Sequence, residues 1–392
     1  MRRLRPDAAL PEPDAYARAH SARVRDAIVE AIGARGCFLP LRDYIALVLY
    51  APGLGYYAAG AHKLGAAGDF TTAPEMTPLF ARSIAPTVAA ILATTHDREI
   101  VELGAGSGRL AVDLVRALED AGAAPTRYTI VEPSPDLRER QRALVARESP
   151  AWRDRVRWLD APPERIDGAV VMNEVLDAIP PHVVARRGGV LHERGVALDR
   201  DGVLVIAGRA LADPRVERAA RERFPPDGDY ASEINLAAEA LVEDLGRRLA
   251  GGAILAIDYG FPRAEYYHPD RRDGTLMAHY RHRATPDVFT WPGLADVTAH
   301  VDFTAIAEAG ARAGLDVAGY ATQASFLVGA GILDRLARTG EPSSPAYVRE
   351  ASAVQSLLSP AEMGELFKVI ALERGEAIRW EAFARGDASH RL

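Results

Sequence analysis

The chain is 392 residues long, with 48% hydrophobic and 26% charged residues and a formal net charge of −7. That composition supports a sizeable globular core in one large or two ordinary domains, and it argues against a dedicated nucleic-acid binder unless a local basic patch hides in the total. The single cysteine, Cys37, excludes an internal disulfide and a thiolate metal cluster, and no apolar run approaches the roughly 18 residues of a membrane span.

In chain order, Arg2-Arg3-Leu4-Arg5 has no apolar segment behind it, so no secretory signal is expected, and Asp7, Pro11, Glu12 and Pro13 interrupt it too soon for a transit peptide. From about Asp14 to Ala51 the spacing of Val24, Ile28, Ile32, Leu41, Ile45 and Leu49 predicts helix. A glycine-rich aromatic loop runs from Pro52 to Thr72, and a helix follows near Pro78 to Thr94.

The next run, Ile100-Val101-Glu102-Leu103-Gly104-Ala105-Gly106-Ser107-Gly108, carries the most information. It predicts a buried strand, a turn through alternating glycines, and a helix whose stripe is Leu110, Leu114, Val115 and Leu118 and which stops at Gly122. Glycines serve where the backbone takes positive φ or a ligand must approach it closely, and the helix N-terminus offers unpaired N–H groups. Dinucleotide folds favour G-x-G-x-x-G, whereas the spacing here is E-x-G-x-G-x-G. Glu102 would repel a pyrophosphate in a dry crevice but suits a ligand bearing an ammonium group, such as S-adenosylmethionine. The competing readings are a dinucleotide site and a turn needed only for packing. The next predicted strand, Tyr128–Val131, ends at Glu132, which can accept hydrogen bonds from both hydroxyls of a ribose. Ser134 as N-cap and Pro135 at the first helical position restart a helix.

Strands are predicted near Arg155–Asp160 and Ala169–Asn173, and a hairpin over Val190–Gly208 turns at Asp199-Arg200-Asp201-Gly202. Ser232 is expected to cap a helix reaching about Leu249, and Gly252–Asp258 reads as another buried strand. This alternation predicts an α/β fold with a mainly parallel sheet covered on both faces, binding ligands beyond the carboxyl ends of its strands. Glu102, Glu132, Asp160, Asn173 and Asp258 all fall at such ends. The stretch Glu265–Asp302, rich in aromatic and basic residues from Tyr266 to Trp291, breaks the pattern and is read either as a long solvated loop or as a lid over a site.

These blocks resemble the MidA-like protein arginine methyltransferases, a family that includes the mitochondrial complex I assembly factor of that type. The resemblance rests on Gly68-Asp69-Phe70-Thr71-Thr72-Ala73-Pro74-Glu75, Val101-Glu102-Leu103-Gly104, Asn173-Glu174-Val175-Leu176-Asp177-Ala178-Ile179-Pro180 and Ile257-Asp258-Tyr259-Gly260. It extends through Pro292–Phe303, with its His300-Val301-Asp302-Phe303, to Met363–Val369, and so covers roughly residues 20–375. The family often carries proline where Ala105 stands, a change of little expected consequence because the flanking glycines are kept. The resemblance implies a class I S-adenosylmethionine-dependent methyltransferase (Rossmann-like) core that symmetrically dimethylates an arginine on a complex I subunit. Residues 1–95 would form an N-terminal helical extension and cofactor-covering loop. Residues 96–392 would form the core, with an inserted hairpin at about 188–230 and a lid at about 261–303. The expected location is cytoplasmic for a bacterial chain and mitochondrial for a eukaryotic one. The rival readings are methylation of a small molecule or nucleic acid, and a non-catalytic cofactor-binding assembly factor.

Arginine methylation requires that a protonated guanidinium be oriented, tolerated beside a sulfonium, and relieved of a proton. Carboxylates meet all three needs. Glu174 and Asp177, three apart after a buried strand, share a face if their turn is helical and can flank one guanidinium, with Asn173 accepting through its amide oxygen; the alternative is two acids favouring a helix N-terminus. His300 and Asp302 would share one face of a strand as an acid–base pair, or form a structural hydrogen bond. Asp69, Thr71 and Thr72 can close over the cofactor or simply make turns. Asp160 can reach the cofactor adenine or cap a helix, and no metal site is suggested.

Overall fold

The computed structural model describes residues 10–58, 72–281, 283–375 and 378–392. Asp69, Thr71 and most of the glycine-rich loop lie outside the described residues. The chain forms two compact units, each discontinuous in sequence.

The larger unit takes the described residues of 71–176, 238–263 and 301–392. Its sheet holds β1 (Glu99–Leu103), β2 (Arg127–Val131), β3 (Val156–Leu159), β4 (Ile166–Asn173), β5 (Leu249–Phe261), β6 (Val301–Asp302), β7 (Asp316–Thr322) and β8 (Phe367–Arg374). The order is β3-β2-β1-β4-β5-β8-β7, with β6 beside β5 at its carboxyl end. The pairs from β3 through β5 are all parallel, and β8 alone runs against both its neighbours. The expected α/β architecture is therefore present, with the strand order reversing between β1 and β4, the place where open sheets of this kind leave a crevice. Strands buried on both faces read as continuous apolar runs rather than alternating ones, which is why β1, β4 and β5 were visible in sequence. Helices α1 (Pro78–Ala93), α2 (Arg109–Asp120) and α3 (Pro135–Glu148) flank this sheet, and Phe80, Ile84, Val88, Leu114, Leu118, Ile130, Val171 and Leu255 share one apolar core.

Close strand contact dictates some residues outright. Gly168 lies opposite Glu99 in the parallel register, and a Cβ there would sit 1.8 Å from the Glu99 carbonyl oxygen.

The smaller unit takes the described residues of 1–70, 177–237 and 264–300. The predicted N-terminal helix is two helices, Ala15–Ala34 and Leu41–Tyr50, parted by the short strand Leu39–Pro40. The strands Leu39–Pro40, Val190–Leu198, His182–Arg187 and Tyr230–Ile234 pair antiparallel in that order, and Leu204–Ala210 completes the predicted hairpin against Val190–Leu198. Ser232 does not cap a helix: it is fully buried in the strand Tyr230–Ile234, and the helix begins only at Leu236. Its cap chemistry lost to pairing with His182–Arg187, which buries all five residues of that strand.

The aromatic stretch is not a solvated loop. Met277–Tyr280 pairs with both Arg283–Thr285 and Asp296–Thr298, while Ala278, Tyr280, Val288 and Val297 pack with Val24, Ile28, Tyr44 and Val48 of the N-terminal helices. The Tyr44 hydroxyl donates to the Val288 carbonyl at 2.7 Å, tying the helix to that stretch. Its apolar anchors were hidden because they stand singly or in short groups among polar residues, with no regular period.

The Gly168 contact yields a test of the central register. Gly168→Ala should cost about 3 kcal/mol or more in urea unfolding, because backbone rather than a flexible side chain must give way.

Candidate active site

The glycine turn has the predicted form. Gly104, Gly106 and Gly108 have φ of 64°, 56° and 88°, which a side chain would strain, and Gly108 in the left-handed conformation is the N-cap of α2. The Gly104 N–H continues the sheet ladder by donating to Val131 O at 3.2 Å. The Ser107 hydroxyl donates to the Glu75 carboxylate and accepts from Arg109 N at 3.2 Å, fastening the turn to the short helix Ala73–Met76. Thr72 occupies the N-cap position of that helix without a side-chain capping bond.

Glu102 and Glu132 close neighbouring strands, at 2% and 5% exposure. Tyr128 donates its hydroxyl to Glu102 Oε2 at 2.8 Å. Burial nonetheless pushes the Glu102 carboxyl up to about 7, against the Tyr128 bond and with the Glu132 charge adding to the rise. Burial raises Glu132 as well, opposed by hydrogen bonds from Ser134 N at 2.9 Å and from Gln141 Nε2 at 3.4 Å. Ser134 caps α3 as the sequence predicts. Asp160 is exposed and pairs with Arg138, and no helix begins there to be capped.

Asn173 ends β4. Its Nδ2 donates to Glu174 Oε1 at 3.1 Å, while its Oδ1 is buried with no hydrogen-bond partner among the described residues. The turn that follows is not helical, so the expected shared helix face of Glu174 and Asp177 does not exist. Glu174 instead takes φ 54°, a conformation that costs a non-glycine residue of this type. Two arrangements hold it there. The Glu174 N–H donates to Ile257 O at 2.9 Å, and the fully buried Asp258 accepts through Oδ2 from Val175 N at 3.1 Å and Leu176 N at 2.9 Å. Backbone bonding along β5 decided this, and no local sequence signal announces it.

Asp177 belongs to the smaller unit, where its carbonyl accepts from Ala299 N at 3.3 Å. Nearby, Tyr50 stacks on Tyr57 at 5.6 Å and donates to Ala178 O at 2.7 Å, and Tyr57 donates to Asp296 Oδ2 at 3.0 Å. Burial, with the Asp296 and Asp177 charges, holds the Tyr57 phenol far above its usual range, so it stays a donor. Sequence reading singled out none of Tyr50, Tyr57 or Asp296. His300 also lies in this unit, and its backbone N–H donates to Thr275 Oγ1 at 3.0 Å, which donates in turn to the buried Glu233 at 3.0 Å.

His300 and Asp302 do not sit on one strand face. The strand comprises only Val301 and Asp302, and the Asp302 carboxylate caps helix Phe303–Arg312 through Ala305 N at 3.1 Å while facing Arg263 at 3.7 Å. Helix capping, a local hydrogen-bonding demand, claimed the side chain. Elsewhere His96, Asp97 and Asp167 converge, but Arg165 stands 2.9 Å from Asp97 and 3.6 Å from Asp167 and supplies the positive charge itself.

Two tests follow from these strains. With its folded pKa raised from 4.5 to about 7, Glu102 contributes stability present at low pH and lost as pH rises through about 7. Ligand-free Glu102→Gln should therefore gain on the wild type across that window, by about 3 kcal/mol at pH 8, in urea unfolding. Glu174→Gly should gain about 1 kcal/mol at any pH by relieving the left-handed backbone.

Residues 79–321 match the family model described as "Putative S-adenosyl-L-methionine-dependent methyltransferase". A COG1565 superfamily member from Burkholderia thailandensis, crystallised with S-adenosyl-homocysteine, is 47% identical with a TM-score of 0.93, covering 98% of this chain and 100% of that one. The mitochondrial protein arginine methyltransferase NDUFAF7 of Mus musculus is 29% identical over 85% of this chain and 80% of its own length, and that of Homo sapiens 28% over 88% and 83%. The chain belongs to this family of S-adenosylmethionine-dependent methyltransferases.

Proposed function

We propose that the chain methylates an arginine side chain of a protein substrate, with S-adenosylmethionine held by the larger unit. The buried acceptor Asn173 Oδ1, next to a strained Glu174 on a turn locked by Asp258, carries this reading. An acceptor kept dry and unsatisfied has its use when a ligand N–H arrives. The NDUFAF7 relatives, named as protein arginine methyltransferases, support the substrate class.

The cofactor fits the residues present. The positive-φ glycines leave the backbone open at the N-terminus of α2, Glu102 offers a carboxylate to an ammonium group, and Glu132 offers one to ribose hydroxyls. When bound, S-adenosylmethionine supplies a methyl group on a positively charged sulfur. The protein's task is then alignment and proton removal. A guanidinium nitrogen forms the new N–C bond as the C–S bond breaks, the electron pair stays on sulfur, and the nitrogen gives up a proton to a carboxylate. Asn173 orients the nucleophile through Oδ1, and Glu174 pairs with the guanidinium and accepts its proton. Asp177 is proposed as a further catalytic carboxylate. His300 assists from its own loop. The reading extends to a respiratory complex I subunit as substrate, and to the cytoplasm of a bacterium or the mitochondrion of a eukaryote.

Asp177→Asn decides between this and the rivals. It should leave S-adenosylhomocysteine affinity unchanged in calorimetry and reduce methyl transfer to a protein substrate by roughly 100-fold or more. Equal turnover would remove Asp177 from the mechanism. Wild-type protein that binds cofactor but methylates only a small molecule or nucleic acid, or nothing, would replace the arginine reading with a rival.

A further inference from the structure

We propose that Gln141, in the middle of α3, is a positioning residue that joins the two ends of the cofactor site into one rigid piece. Its side chain is completely buried, and every polar group on it is engaged. Nε2 donates to the Gly106 carbonyl at 2.9 Å and to Glu132 Oε2 at 3.4 Å. Oε1 accepts from the Trp158 indole N–H at 2.9 Å, which fixes which way the amide points. The Arg142 guanidinium lies over the Trp158 ring at 5.1 Å and holds the indole in turn. The carbon stem fills the space that Gly108 leaves, since a Cβ on Gly108 would come within 3.3 Å of Gln141 Cγ.

Gly106 belongs to the turn that would meet the methionine end of the cofactor, and Glu132 is the carboxylate that would meet its ribose. One amide thus spaces them. An acid in its place would repel Glu132, and a lysine would neutralise it; a neutral amide can restrain Glu132 while leaving its charge for a ligand. The payoff is preorganisation, because a ligand need not order the turn and the carboxylate separately.

The test uses the full chain and S-adenosylhomocysteine in calorimetry, with intrinsic tryptophan emission as a second readout, so the identity of the methylated substrate plays no part. Gln141→Leu should weaken binding roughly tenfold, and Trp158→Phe, which removes only the orienting donor, roughly threefold in the same direction. The double variant should bind no worse than Gln141→Leu, since both act through one amide. Ligand should change tryptophan emission in wild type but not in Trp158→Phe. In steady-state assays the KM for S-adenosylmethionine should rise with kcat held. Wild-type affinity in a folded Gln141→Leu, a loss of stability without loss of affinity, or additive losses in the double variant would overturn the proposal. If Gln141→Leu fails to fold, unchanged affinity in Trp158→Phe overturns it. Failure of the wild type to bind would instead overturn the cofactor assignment beneath it.

Discussion

Glu102 and Glu132 lie at the carboxyl ends of adjacent parallel strands, one inside the last residue and one just past it, and each is almost fully withdrawn from water, so the sheet carries two carboxylates whose ionisation its interior opposes. Neither carboxylate, once ionised, stabilises the empty protein, because burial of a charge costs far more than one phenol or one amide repays. The surrounding features make sense as means of tolerating that cost. Tyr128 donates to one carboxylate, Ser134 and Gln141 donate to the other, and the glycine turn between them frees backbone groups at the start of α2. On the proposed assignment, a cationic, hydroxyl-rich ligand would relieve what the protein alone cannot, which is how a site acquires affinity from strain in its unliganded form.

A second stored cost stands at the end of β4. Asn173 keeps a buried oxygen unsatisfied, and Glu174 keeps a backbone conformation better suited to glycine. Asp258, one strand over, over-determines that turn by accepting two consecutive N–H groups. Side chains on such a turn have little freedom to lose when a substrate arrives, and methyl transfer depends on alignment more than on any strong acid or base.

Much of this was legible in the linear chain because its causes are local. Apolar runs at 100–103, 128–131 and 169–173 marked strands buried on both faces, the glycines at 104, 106 and 108 marked positive φ, and Ser134-Pro135 marked a helix start. Glu102, Glu132 and Asn173 followed from being the polar residues that interrupt those runs. Where reading failed, a partner distant in sequence had the deciding vote. Ser232 has the chemistry of a cap but was drawn into a strand by His182–Arg187. Asp302 is the exception: it reads as an acid beside a histidine, yet a local demand, capping the helix that follows it, claims its side chain. The stretch after Glu265 looked unanchored because its core contacts are with residues more than two hundred positions earlier.

The amino-acid sequence alone determined the α/β core, its glycine turn and the acids at its strand ends, since periodicity, turn propensity and burial of an apolar run are properties of a few neighbouring residues. Tertiary structure alone decided which polar groups act together: Gln141 with Gly106, Glu132 and Trp158; Asp258 with the turn after Asn173; Tyr57 with Asp296. Hydrogen bonds of that kind depend on angles and on distances of about 3 Å. They arise between residues brought together only when helices and strands pack, so no pattern along the chain records them.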